Sequence, residues 1–414
     1  MSRSPVPPLR TDLDMIPVEH EGRSMVLVRD HLGLVPEDRA FSLELFRILH
    51  NLGPDADLGD LGRALTRASG GEEVSEEQLR ELVDGLDGLH LLESESFARA
   101  RRGVVKAWQD LEVRPAALAG SAYPDKPEDL SAWADRTLAR PGPHERKGKL
   151  ACLVAPHIDP QAGAKVYGAA YAALAGLDQD QRPERVVVLG TGHALDSGLV
   201  SLCAKDFETP LGRSATDREG VARLERAAGS ALCLDDFIHR AEHSVEFQAL
   251  FLQHLLGPGG VRLVPVLCGS GHLLPEYTRQ AFLDGLEPFC RELAAMLETE
   301  NTLLLVGADL CHIGPKFGHA ATAEMLEPAA AAHETLILRA LADMDPEAMW
   351  RESASVGDGF HVCSFLALAL AAETLALLGG GRAGITGRLL DRDLWREEPT
   401  SSAVGFAALA FERT

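Results

Sequence analysis

The chain has 414 residues, 46% hydrophobic and 25% charged, and this globular usage excludes a disordered chain, a collagen and a coiled coil as the main architecture. Its length suits two or three domains and a large core that needs no disulfide or metal staple. Lysine and arginine number 40 against 62 aspartates and glutamates, a net charge of −22, which disfavours nucleic acid and anionic lipid as partners.

Met1 to Gly22 mixes prolines with charges and has no apolar h-region, so no signal peptide is expected. Ser24-Met-Val-Leu-Val28 reads as a short strand. Leu45, Ile48, Leu49 and Leu52 fall at helical spacing, as do Leu58, Leu61 and Leu65. Ser75-Glu-Glu-Gln78 has the form of a capping box ahead of Leu79, Leu82, Val83 and Leu86. Leu89-His-Leu-Leu92 reads as a closing strand. Strand, three helices and strand predict a small winged-helix-like module over 1–115, with basic Phe97 to Leu111 as a linker or helix. The Leu positions around LELFRILHNLG and EQLRELVDGLDGLHLLES also resemble the PqqD-like domains, which implies peptide or partner docking. A structural cap on the main domain is the alternative reading.

Arg140 to Gly148 is turn-rich. From Leu150 the pattern is α/β, with strands expected at Leu150–Ala155, Arg185–Leu189, Val261–Leu267 and Thr302–Val306. The fold class expected over 116–414 is therefore α/β, with a mixed or parallel central sheet flanked by helices. Val362 to Leu378 is the most apolar stretch. It falls short of the ~20 residues of a membrane span and carries Glu373, so a buried helix is expected and no membrane contact. The seven cysteines are odd in number and form no CxxC pair. They fit neither a disulfide framework nor a thiolate zinc cage, and point to a reducing cytoplasm.

Three strand candidates end in polar sites. They lead into His157, into His193, and into Asp309 with His312. Open α/β sheets bind ligands at the carboxyl ends of their strands, so these four residues are expected to share one crevice. Glu242-His243-Ser-Val-Glu246 opens a helix, where polar ligand contacts are natural. Gly357-Asp358-Gly-Phe-His361 has two glycines around an aspartate, the mark of a tight loop.

These motifs, in this order, resemble the Memo-like family, known in bacteria as AmmeMemoRadiSam system protein B. Gly120-Ser-Ala-Tyr-Pro124, Ala155-Pro-His157, Leu189-Gly-Thr-Gly-His193, Glu242-His-Ser-Val-Glu246, Asp309-Leu-Cys-His-Ile-Gly314 and Ser401-Ser-Ala-Val-Gly405 carry the likeness from about Gly120 to the C-terminus. It implies a class III extradiol dioxygenase-like fold. It also implies a metal or reactive site built from the two histidines and a later cysteine, whose place falls at Asp358, with Cys363 nearby. His157, His193 and Asp358 would then form a two-histidine, one-carboxylate set, which favours Fe(II), with Mn(II), Cu and Zn(II) as alternatives. His312 and His243 would handle protons, and Asp309 and Glu246 would orient those imidazoles.

The expected function is metal-dependent redox chemistry, linked to O₂, on a small molecule or modified peptide. The resemblance implies association with radical-SAM and AMMECR1-like proteins. The rival readings are a non-catalytic metal-binding adaptor and a zinc-dependent hydrolase. No GxSxG elbow favours a serine nucleophile.

Overall fold

The computed structural model describes residues 4–20, 22–36, 39–139, 148–378 and 384–413. The turn-rich segment expected at Arg140–Gly148 lies almost wholly outside the described residues. The chain divides into two compact units, Met1–Leu111 and Glu112–Thr414.

The first unit opens with an antiparallel meander of β1 (Leu13–His20), β2 (Arg23–Asp30) and β3 (Ala40–Ser42). Then come α1 (Leu43–His50), α2 (Leu58–Ala68), α3 (Glu76–Gly88) and α4 (Glu95–Gln109). The expected strand at Ser24–Val28 is the middle of β2. Its partner β1 was hidden among charges, and Pro17 is tolerated there because β1 lies at the sheet edge. The capping box of α3 is formed. Ser75 Oγ accepts the Gln78 N–H at 3.2 Å, and Gln78 Oε1 accepts the Ser75 N–H at 2.9 Å.

Leu89–Leu92 is not a strand. Only Leu92 makes a β-bridge, to Leu9, because His90 takes a left-handed backbone at φ 55°. Leu91 and Leu92 are instead fully buried plugs in a core with Phe46, Leu49, Leu61, Leu79 and Leu86. The unit's order is thus strands first and helices after, not the expected strand, three helices and strand. The basic stretch is helical, as α4.

The second unit begins with β4 (Val113–Arg114) and α5 (Pro127–Thr137), then β5 (Lys149–Ala155), α6 (Pro160–Ala175), β6 (Arg185–Thr191) and β7 (Val200–Leu202). Next are β8 (Asp206–Thr209), β9 (Gly212–Ser214), α7 (Arg218–Ala228), β10 (Leu232–Cys233), α8 (His243–Leu256), β11 (Arg262–Cys268) and α9 (Arg279–Thr299). It closes with β12 (Thr302–Gly307), β13 (Asp309–Ile313), α10 (Ala323–Ala342), α11 (Pro346–Val356), α12 (Phe365–Leu377), β14 (Ile385–Glu397) and β15 (Ser402–Arg413).

The main sheet runs β10-β7-β11-β6-β12-β5-β15-β13, with β14 also paired to β15. Its centre, β11-β6-β12-β5, is parallel and contains the four strands expected from the sequence. β15 joins β5, β13 and β14 antiparallel, so the sheet is mixed.

Side chains alternate along each strand. Val187, Leu189, Val264, Val266, Leu304 and Val306 enter one core with residues of α7, α9 and α12. The alternate Val186, Val188, Leu303 and Leu305 are equally buried, on the face where α6 and α8 pack. α12 is buried on every side, as expected, and its Glu373 pairs with Arg279 at 2.6 Å. No helix of the described residues is long and apolar enough to cross a membrane.

One detail of topology creates the site. β5 stops at Ala155, and β12 continues through Ala308, whose N–H donates to the Ala155 carbonyl at 2.8 Å. The chain then becomes β13 and takes over from β5 beside β15. β5 pairs with β15 at Leu409–Arg413, and β13 pairs with it at Ala403–Phe406. His157 leaves the sheet at this handover.

Candidate metal centre

His157 is held by the neighbouring strand end. Its backbone N–H donates to Asp309 Oδ1 at 3.0 Å, and its Nδ1 lies 3.0 Å from the Gly307 carbonyl. A carbonyl only accepts, so Nδ1 carries a proton there and Nε2 is the nitrogen left to meet a ligand. His193, two residues past β6, is fixed the same way. Glu242 accepts its backbone N–H at 3.1 Å and lies 3.1 Å from its Nδ1. This is the tautomer control found behind metal-binding imidazoles.

His243 is the first residue of α8. Glu242 caps that helix by accepting the Ser244 N–H at 3.0 Å, and the same carboxylate lies 3.3 Å from His243 Nδ1. α8 reaches the strand ends because of glycine. A Cβ on Gly307 would stand 2.7 Å from the Ser244 carbonyl.

The three rings face one another. His157 lies edge-on to His193 and His243, with centroids 5.2 and 5.3 Å away, and His193 stacks on His243 at 4.8 Å. One ligand atom from each falls within 4.8 Å of the other two. The side chain of His157 is 2% exposed, whereas those of His193 and His243 are 40% and 36% exposed, so the cluster opens to solvent on their side.

Cys363, two residues before α12, completes the surroundings. Its Sγ lies 3.6 Å from His157 Nε2 and 3.4 Å from Ser364 Oγ. Ser364 Oγ in turn accepts the Asp309 N–H at 3.0 Å.

The charges are coupled. Burial opposes ionisation of the Cys363 thiol, but the imidazoles of His312 and His157 hold it well below the usual thiol range. Burial likewise opposes charge on His157, yet Asp309 and Cys363 push it up to about 9. His193 is also raised against burial, mainly by the Glu242 carboxylate, while Glu242 is held far below the usual carboxylate range by His193. His243 moves the other way, down to about 4, through burial and repulsion from its two neighbours. Burial raises the Asp309 carboxyl, with His157 in opposition.

His157 and His193 therefore meet as expected, and His243 joins them directly. Asp309 is in contact with His157, its Oδ2 being 3.5 Å from Nε2. His312 stands to one side. Its ring packs on Phe317 at 4.8 Å.

Two expected residues are not brought to the cluster. Asp358 is absent from the metal-capable group among the described residues. Its Oδ1 instead accepts the Val362 N–H at 3.1 Å, because a carboxylate in so tight a loop serves the loop's own amides first. Glu246 turns away to the fully buried Arg114, and also accepts from the Tyr123 hydroxyl and the Ala117 and Leu118 amides. A buried guanidinium requires an anionic partner, and this need claims Glu246. Cys363 and Glu242 carry only weak signals in the sequence. Their signals were a cysteine at the start of an apolar helix and an acid in the N-cap position before His243.

A family model described as Memo-like protein matches residues 114–410. The chain belongs to the Memo-like family. A MEMO1 family protein of Aquifex aeolicus is 26% identical over 386 residues, covering 93% of this chain and 95% of the relative. That span takes in most of the first unit as well. A MEMO1 family protein of Thermus thermophilus is 28% identical over 338 residues, 81% of this chain and 93% of the relative. The protein memo-1 homolog of Caenorhabditis elegans is 31% identical over 207 residues, 50% of this chain and 54% of its own.

Proposed function

We propose that this Memo-like chain binds a divalent transition metal through His157, His193 and His243 and uses it in redox chemistry on a small molecule or modified peptide. The observation that carries the reading is the pair of occupied Nδ1 atoms. Gly307 and Glu242 hold those atoms, which leaves the two Nε2 atoms as the ones available to a metal that displaces their protons. The donor set fits such an ion. Imidazole suits Fe, Cu and Zn, and the adjacent Cys363 sulfur moves the preference away from Mn.

Fe(II) remains the leading choice for O₂-linked chemistry, with Cu and Zn(II) as the other outcomes. When bound, the metal would supply Lewis-acid or one-electron chemistry. The chain's own residues do the rest. Asp309 positions His157 through its backbone N–H. His312 and Asp309 are the groups able to hold or pass a proton beside the cluster. The solvent-open side at His193 and His243 admits the substrate. A mixed sheet with its site at the carboxyl ends of parallel strands supports the likeness to class III extradiol dioxygenases. The partner reading, a radical-SAM protein and an AMMECR1-like protein, follows from the family resemblance, and co-purification tests it.

Metal analysis of protein purified without oxygen tests the reading. Near-stoichiometric metal is expected, lost in His157→Ala and His193→Ala with the fold intact. A wild-type protein that takes up no metal on reconstitution overturns it. The non-catalytic adaptor is the second reading, and one observation favours it: Cys363 Sγ lies 3.6 Å from His157 Nε2, where sulfur and imidazole can satisfy one another without a metal.

A further inference from the structure

Among the described residues, three of the seven exposed large hydrophobic side chains belong to one face of the second unit. Met325 is 72% exposed, Leu336 49% and Leu389 45%. Single exposed apolar residues are ordinary, whereas a contiguous patch marks a surface that binds a partner.

The patch follows from the helical period. α10 buries Ala330, Ile337, Leu338 and Leu341 in the main core. On its opposite side Met325, Ala329, Ala332 and Leu336 recur at steps of four, three and four, which sets them in one line facing solvent, with Pro328 beside it. β14 runs antiparallel along the helix. Arg396 reaches Glu327 at 2.6 Å, Arg392 reaches Thr335 at 2.9 Å, and a Cβ on Gly387 would meet the Ala342 carbonyl. Leu389 therefore stands toward the Leu336 end of the line.

Turned end for end, this face fits itself. Its bulk is at the ends, Met325 at one and Leu336 with Leu389 at the other, and its centre is alanine. A second copy laid antiparallel, with a two-fold axis midway between Ala329 and Ala332, sets Met325 of each chain against Leu336 and Leu389 of the other. The alanines let the two backbones approach closely. The charges agree with this arrangement. Glu324 and Arg339 lie on the same flank of α10, one just outside each end of the line. The same two-fold sets Glu324 of each chain opposite Arg339 of the other. Within its own chain Arg339 is held only loosely, 3.7 Å from the exposed Asp343.

We propose that the solvent face of α10, with Leu389 of β14, is a docking surface for a second copy of this chain, paired antiparallel about Ala329 and Ala332. The inference goes beyond the metal reading and stands without it, since no residue of the histidine cluster takes part. One helix face makes a small interface, so the two copies exchange with free monomer instead of forming a permanent dimer.

Sedimentation velocity of the full chain over a wide concentration range tests this. The sedimentation coefficient should rise with concentration from the monomer value to the dimer value. Met325→Glu and Leu336→Glu should each weaken the dimer about 10-fold or more while leaving thermal unfolding of the monomer unchanged. Glu324→Arg and Arg339→Glu should each weaken it as well, by setting like charges opposite one another. An equal mixture of those two variants should regain it, because each then meets the opposite sign.

A wild type that stays monomeric at the highest concentration overturns the proposal. A dimer that Met325→Glu leaves intact overturns it too, because that dimer forms through another surface. A dimer weakened by both charge variants but not regained on mixing them contradicts the antiparallel pairing on which the proposal rests.

Discussion

Glu242 grips His193 at two points, accepting its backbone N–H at 3.1 Å and facing its Nδ1 at 3.1 Å. One carboxylate thereby fixes the backbone and the tautomer of the same histidine, and also caps the helix that carries His243. Glu242→Ala should therefore weaken metal binding about 10- to 100-fold. Competition against a chromogenic chelator checks this, and Glu242→Gln should fall between, because an amide oxygen still caps α8.

Glu246 has a different task from Glu242, four residues earlier. Glu246→Ala leaves the Arg114 guanidinium, fully buried in the fold, without its anion. The expected loss is about 3–5 kcal/mol of stability in urea unfolding. Metal affinity of the protein that stays folded should match wild type, so an equally large loss of affinity would return Glu246 to the site.

Gly307 is where α8 meets β12. Gly307→Ala would drive a methyl toward the Ser244 carbonyl and the Gln248 side chain, which stand 2.7 and 2.9 Å from the Cβ position. Overpacking of this kind costs about 1–3 kcal/mol. Because the displaced helix carries His243, thermal unfolding and metal affinity should fall together.

How much of this was readable in the sequence depends on the length of the signal. The parallel centre was legible because β5, β6, β11 and β12 are short apolar runs buried on both faces. His157 and His193 were legible because each follows such a run within two residues. β1 was not, because its period-2 pattern is broken by Pro17 and surrounded by charge. Leu89–Leu92 misled because a plug of a helical core and a strand share the same apolar run. The roles of Asp358 and Glu246 were decided by partners far from them in sequence or by the turn's own amides. The resemblance puts the family's cysteine at Asp358, whereas Cys363 is the residue whose sulfur stands 3.6 Å from His157 Nε2.

Acid should act on the first unit through Asp30. Its carboxylate pairs with the buried Arg10 at 2.8 Å and accepts the Leu32, Leu34 and Val35 amides. Burial opposes its ionisation, yet Arg10 and these amides hold it below its usual range. A carboxyl depressed in the folded state stabilises fully above its unfolded value of about 3.9, and that contribution is lost as pH falls through the folded value. Urea unfolding of wild type and Asp30→Asn should therefore differ most at neutral pH and converge in acid. A difference that stays constant with pH would show that Asp30 contributes by shape alone.

The most direct test of the metal centre is an anomalous difference map from crystals of the reconstituted protein, recorded at the absorption edge of the metal. One peak is expected among the rings of His157, His193 and His243, about 2.0–2.1 Å from the coordinating nitrogens. A map in which the metal lies elsewhere, or in which this cluster stays empty in protein shown to contain metal, contradicts the assignment.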